Sequence, residues 1–141
     1  MKRTVAASCL LTLCAAFASA GQLEGQKSPP AFLIESIAGQ DSFMFYCAPC
    51  HGRSGKGDGP VGAALKTTPR DLTTLSTRNG GTFPGADVLA FVTGTTRALP
   101  AHGSSDMPVW GPIFRSLDPS DTRTKIRIEN IVAFVESIQV K

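Results

Sequence analysis

Phe45-Tyr46-Cys47-Ala48-Pro49-Cys50-His51-Gly52 is the stretch on which the reading of this chain turns. Two cysteines stand three positions apart, and a histidine follows the second directly. Three chemistries use such a cluster: a redox dithiol, half of a zinc site, or a covalent attachment point for haem. The rest of the chain has to supply what each of them lacks.

Much of the N-terminal sequence argues for export rather than structure. Met1-Lys2-Arg3 is basic, Val5 to Phe17 is almost wholly apolar or small, and Ala18-Ser19-Ala20 is a small-residue cleavage site. That order is a secretory signal peptide over residues 1–20, cut after Ala20. The apolar run falls short of the roughly 20 residues a membrane-spanning helix wants. Removing it leaves 121 residues, enough for one domain with a single core. Lys2 and Arg3 leave too, so 12 basic side chains face 11 acidic ones, a net charge of +1. With no basic run and no aromatics interleaved among lysines or arginines, nucleic acid is not an expected partner. Residues 21–30 are polar and rich in Pro and Gly and read as a flexible leader. The domain proper is expected over residues 31–141.

Cys9 and Cys14 fall inside the signal, so Cys47 and Cys50 are the whole thiol content of the mature chain. In an oxidising compartment a spare pair of thiols closes to a disulfide unless something else uses them. A thioredoxin-like dithiol wants a preceding strand in a βαβ pattern, but Ala31 to Tyr46 reads as the body of a helix. A structural zinc site wants four ligands, and beyond the motif only His102 and a terminal group offer themselves. Covalent haem needs nothing more than C-x-x-C-H. The two thiols add to vinyl groups on neighbouring pyrroles, and the next residue brings an imidazole under the iron. One haem c held by Cys47 and Cys50, with His51 as proximal ligand, is therefore expected.

The opposite face of the iron then decides the chemistry. Downstream of His51 stands one methionine, Met107, in Ser105-Asp106-Met107-Pro108-Val109-Trp110-Gly111. Pro108 stiffens that loop, as a ligand holder requires. Met44 precedes Cys47 on the same helix and cannot reach across a ring. His102 is the rival, five positions before Met107. His51 and Met107 are the expected iron ligands.

With these residues on the page, the chain resembles the class I c-type cytochromes over nearly all of residues 31–141. Gly39, Phe43 and Cys47 match that family's Gly–aromatic–Cys spacing, which keeps all three on one helical face. The resemblance implies an all-α cytochrome c fold: N- and C-terminal helices crossed at Gly39, with short helices around one covalent haem. Ile126 to Ile138 is the matching last helix, with Ile128, Ile131, Phe134, Val135 and Ile138 as its apolar stripe, and Ile131 and Phe134 as partners for Gly39 and Phe43. Pro69 to Leu75 reads as a loop entering a short helix, and Asp87 to Thr93 as another. Gly57-Asp58-Gly59-Pro60 is similar to the family's turn after the haem histidine, which implies that the Pro60 carbonyl accepts the His51 Nδ1 proton. GKGDGPVG, PRDLTTL and MPVWG with Phe114 after it resemble a bacterial subgroup of periplasmic and oxidase-associated cytochromes.

The resemblance implies a periplasmic one-electron carrier and not an enzyme, with the soft Met ligand favouring Fe(II). Trp110, Phe83, Phe91 and Phe114 are candidate shell residues; Arg53, Arg70, Arg78 and Arg97 are candidate partners for the propionates. Expected partners are a periplasmic dehydrogenase or reductase and a membrane oxidase, with the membrane met only through them and the carrier itself a monomer. Two alternatives stay open: a haem subunit fixed in a larger respiratory complex, and a ligand-binding or peroxidatic protein whose Met107 is displaced.

Overall fold

A computed structural model describes residues 32–95 and 107–140. The expected signal peptide and leader, and with them His102 and Arg97, lie outside the described residues. Within them the chain is all-α: every regular element is helical, and no strand occurs. None of these helices is long and apolar enough to cross a membrane.

Residues 32–38 form an irregular strap, where the sequence suggested helix from Ala31 onward. Helix α1 (Gly39–Ser42) follows, then a π-helical turn (Phe43–Cys47), then α2 (Ala48–His51). The widened turn has a cause in the sequence. Pro49 carries no N–H, so the regular ladder cannot be completed through this point. Instead the Ala48 N–H reaches back five residues to the Phe43 carbonyl. The cysteine motif is thus not a turn after a helix but its last, re-aimed part.

The last helix, α6 (Asp121–Ser137), is the longest, and its start is marked by Ser120, whose side chain accepts the Arg123 N–H. Its inner face buries Ile128, Ile131 and Val135, spaced three and four apart. Full burial of side chains this size stabilises by roughly 1.5–3 kcal/mol each. Helix α1 crosses α6 at Gly39, where an added Cβ would collide with the Asn130 carbonyl and press on Phe134 Cβ. Beside that crossing the Phe43 and Phe134 rings lie 5.0 Å apart. Ile131, which was paired with these in the sequence reading, joins a different cluster, with Tyr46, Val92, Trp110, Phe114 and Ile128.

The remaining elements frame the space between. Leu72–Thr74 is a 3-10 turn capped by the Asp71 carboxylate, and it runs into α3 (Leu75–Arg78). The Thr73 hydroxyl, and to a lesser degree the Thr73 N–H, donate to the Asp71 carboxylate and hold it below its usual range. Helix α4 (Gly85–Thr93) and α5 (Trp110–Leu117) pack closely enough that a Cβ at Gly111 would meet the Thr93 backbone.

Candidate functional site

The Gly-rich run after His51 wraps the cysteine motif through main-chain bonds. The N–H groups of Gly57, Gly59 and Val61 donate to the carbonyls of His51, Cys50 and Pro49 at 2.8, 3.1 and 2.9 Å. These are carbonyls that a helix end leaves without partners. Gly57 has φ +86°, and a Cβ there would collide with the Pro69 carbonyl. That close approach brings Arg70 over the histidine.

His51 Nδ1 lies 3.1 Å from the Arg70 carbonyl oxygen. A carbonyl can only accept, so Nδ1 carries the proton, and Nε2 of the neutral ring keeps its lone pair. The expected acceptor, the Pro60 carbonyl, is not the one used. Pro60 is exposed and lies between Gly59 and Val61, whose N–H groups face the motif. The fold fills the same chemical need from a residue nineteen positions away. Burial lowers the proton affinity of the imidazole, and the Arg70 carbonyl partly restores it.

A cavity of about 340 Å³ opens beside this motif. Cys47, Cys50, His51 and Met107 all line it. Its walls come from Phe43, Leu65, Leu72, Leu75, Val88, Phe91, Val92, Ile131 and Val135, with Thr67, Thr68, Pro69 and Arg70 along one side. The volume is in the range of small-molecule and cofactor sites, which are apolar with a few placed polar groups. The two sulfurs are not joined in a disulfide. Burial, and then the neighbouring Cys50, push the Cys47 thiol up to about 12. A redox dithiol of the thioredoxin kind needs the opposite shift, toward thiolate. Among the described residues no three His, Cys, Asp or Glu side chains gather as a metal cluster, so these residues do not form the closed shell of a structural zinc site.

The donor set and the walls fit a covalently bound haem. Two thiols, an imidazole whose Nε2 keeps its lone pair and a thioether border one apolar space, and among the described residues no carboxylate lines it. Of the shell candidates, Phe91 lines this cavity. Trp110 lines a second one of about 240 Å³, which also reaches Cys47, Cys50, His51 and Met107. Phe114 is buried in the core next to Trp110, their rings 5.4 Å apart. Phe83 packs against the Phe43 cluster and lines neither cavity. Met44 likewise stays outside both. Of the arginine candidates among the described residues, only Arg70 borders the main cavity; Arg78 instead donates to the Asp71 carbonyl at 2.6 Å.

Sequence reasoning did not find the Arg70 carbonyl, nor the clamp at the C-terminus. Gln139 donates to the Leu72 carbonyl at 2.7 Å and accepts from the Ser76 N–H at 2.8 Å, and Val140 N–H donates to the Thr73 carbonyl. These bonds hold the wall that carries Leu72 and Leu75. Main-chain acceptors leave no residue-type signature, so no signal in the sequence pointed to them. Comparison with protein-family models, with curated proteins and with solved structures found no match to this chain.

Proposed function

We propose that this protein is an exported one-electron carrier of the class I cytochrome c type, holding one haem c. The observation that carries the reading is the meeting of Cys47, Cys50, His51 and Met107 on one apolar cavity. Met107 is far from the motif in sequence, and spacing alone did not require it to arrive there. The crossing of α1 and α6 at Gly39 and the short helices around the cavity support the fold half of the proposal.

The chain's own residues divide the work. Cys47 and Cys50 supply the two sulfurs for thioether links, and the π-helical turn sets where they face. His51 offers Nε2 to the metal, its ring orientation set by the Nδ1–H bond to Arg70. Met107 offers a soft thioether, which stabilises the reduced state relative to a second imidazole. The apolar walls exclude water and disfavour added positive charge. Bound there, haem c would supply a single-electron couple, with His51 and Met107 as the residues that would hold its iron.

No step on a substrate follows from these groups, and the partners are other redox proteins. A mature charge near zero gives weak long-range steering. Contacts with a periplasmic dehydrogenase or reductase and with a membrane oxidase are therefore expected to be brief and small, under ~1,200 Å².

The test is the mass and spectrum of the exported protein, made in a host that attaches haem. The mature chain should weigh one porphyrin more than its sequence, and the Cys47→Ser/Cys50→Ser double variant should lose that adduct. The oxidised protein should show the far-red band of thioether–Fe(III) ligation, lost in Met107→Ala. A mature chain with no adduct sinks the proposal. An adduct without that band would instead support the open-face alternative.

A further inference from the structure

Arg127 lies in α6 with none of its surface exposed. Its Nη1 donates to the Ser36 carbonyl at 2.6 Å and to Ser42 Oγ at 3.3 Å, and its Nη2 donates to the Ile34 carbonyl at 2.8 Å. All three partners are neutral. Its Nε has no hydrogen-bond partner among the described residues. Nor is it in an ion pair there: the nearby carboxylate, Asp118, is bound to Arg123 at 3.1 Å. A guanidinium stays protonated in proteins, so this is a buried positive charge without a matching negative one.

Its position matters as much as its charge. The guanidinium carbon stands 5.9 Å from the Tyr46 ring centroid and 5.7 Å from that of Phe114. Tyr46 precedes Cys47 in the chain and lines the second cavity together with Met107 and Cys47. Ile131, one turn beyond Arg127 on α6, lines the main one. One layer of aromatic side chains therefore separates the charge from the site, and that layer is buried. A charge behind such a layer is screened far less than one on the surface.

Resting on the carrier reading above, we infer that Arg127 is a positioning residue for the redox couple: it sets the reduction potential through its uncompensated charge. The oxidised site carries one more positive charge than the reduced site, so a fixed cation nearby favours reduction. A unit charge about 10 Å away at an effective dielectric of about 20 alters an equilibrium on the order of tenfold. Arg127 also ties the strap at Ile34 and Ser36 to α6, and that second role would explain a stability loss but not a change in potential.

The experiment separates the two roles by potentiometric titration and thermal unfolding of the haem-loaded protein. Arg127→Gln removes the charge and keeps amide donors. At the wild-type midpoint its oxidised-to-reduced ratio should rise about tenfold. Arg127→Lys keeps the charge and loses the planar fork, so near pH 6 its potential should stay near wild type while its unfolding temperature falls. Ser42→Ala should lower stability alone. Should Arg127→Gln not accumulate with haem, raising the pH on Arg127→Lys removes the charge in place, because burial depresses a lysine's pKa. Tyr46, Asp118 and Arg123, the groups whose charges act on it, are common to both proteins, so whatever they contribute is present in the wild-type slope too. A potential that falls more steeply with pH in Arg127→Lys than in wild type carries the inference; equal slopes overturn it. An Arg127→Gln protein with wild-type potential overturns it outright. A wild-type protein without covalent haem overturns the carrier reading and this inference with it.

Discussion

Two segments of this molecule are held in place by opposite means. The loop from Gly52 to Gly62 grips the cysteine motif with its own backbone: Gly57, Gly59 and Val61 N–H groups on three successive carbonyls. The strap at residues 32–38 is gripped from outside, by side chains. Arg123, Arg127 and Asn130, at helical spacing on α6, donate to the carbonyls of Glu35, of Ile34 and Ser36, and of Ile37. The first arrangement depends on backbone conformation, so it is sensitive to changes at glycine and indifferent to most exposed side chains. The second depends on particular donors, and each substitution there removes identifiable bonds. The histidine sits on the first kind of support, and the buried cation belongs to the second.

The largest effect should come from Gly57→Val. A branched side chain at φ +86° is strained, and its Cβ would lie on the Pro69 carbonyl. A loss of about 3 kcal/mol is expected by denaturant unfolding, with Arg70 displaced from His51. Lys56→Ala, its exposed neighbour, should stay within about 0.5 kcal/mol. Equal losses at the two positions would mean that backbone conformation does not control this loop.

Gly39→Ala comes next, at the helix crossing that anchors the strap's end. Its methyl group would meet main chain rather than a movable side chain, and overpacking of this kind costs about 1–3 kcal/mol. Unfolding free energies measured alongside an exposed control such as Gln40→Ala would check it.

Asn130→Ala removes one bond of 2.9 Å to the Ile37 carbonyl and should cost about 1 kcal/mol. Hydrogen exchange should quicken in the strap and stay unchanged at Gly57, Gly59 and Val61. Exchange that speeds up in both segments together would show that the two supports are one unit.

The smallest effect is expected at Pro60→Ala. Pro60 is exposed, and the His51 bond goes to Arg70. A change of less than about 1 kcal/mol, arising in the unfolded chain, is expected, with the optical spectrum unaltered. A spectral change would return Pro60 to the histidine's surroundings.

The helical class was readable because apolar periodicity is a local signal: Ile128, Ile131 and Val135 point inward as their spacing requires. The short helices after Arg70 and before Gly94 were readable from turn residues and compact apolar runs. The strap was not, since Phe32 to Ala38 is as apolar as a helix and is held in an irregular path by donors from α6. The π-helical turn was missed for a related reason. Pro49 announces that the ladder breaks, but not that the chain answers by widening. Arg127 shares the inner face of α6 with Ile131 and Val135, at i, i+4 and i+8, where a charged residue is rarely found; the carbonyls that partner it come from some ninety residues earlier.

What the sequence determined alone is the chemistry on offer: two thiols and an imidazole at short fixed spacing, a methionine beside a proline, and apolar faces at helical period. Those signals are local, and chain geometry preserves them. What the tertiary structure decided is who meets whom: Met107 beside Cys47 on one cavity, Arg70 rather than Pro60 on His51, and a buried cation behind Tyr46. Every residue carries a carbonyl, and any of them can accept a proton donor, so the choice among them belongs to packing.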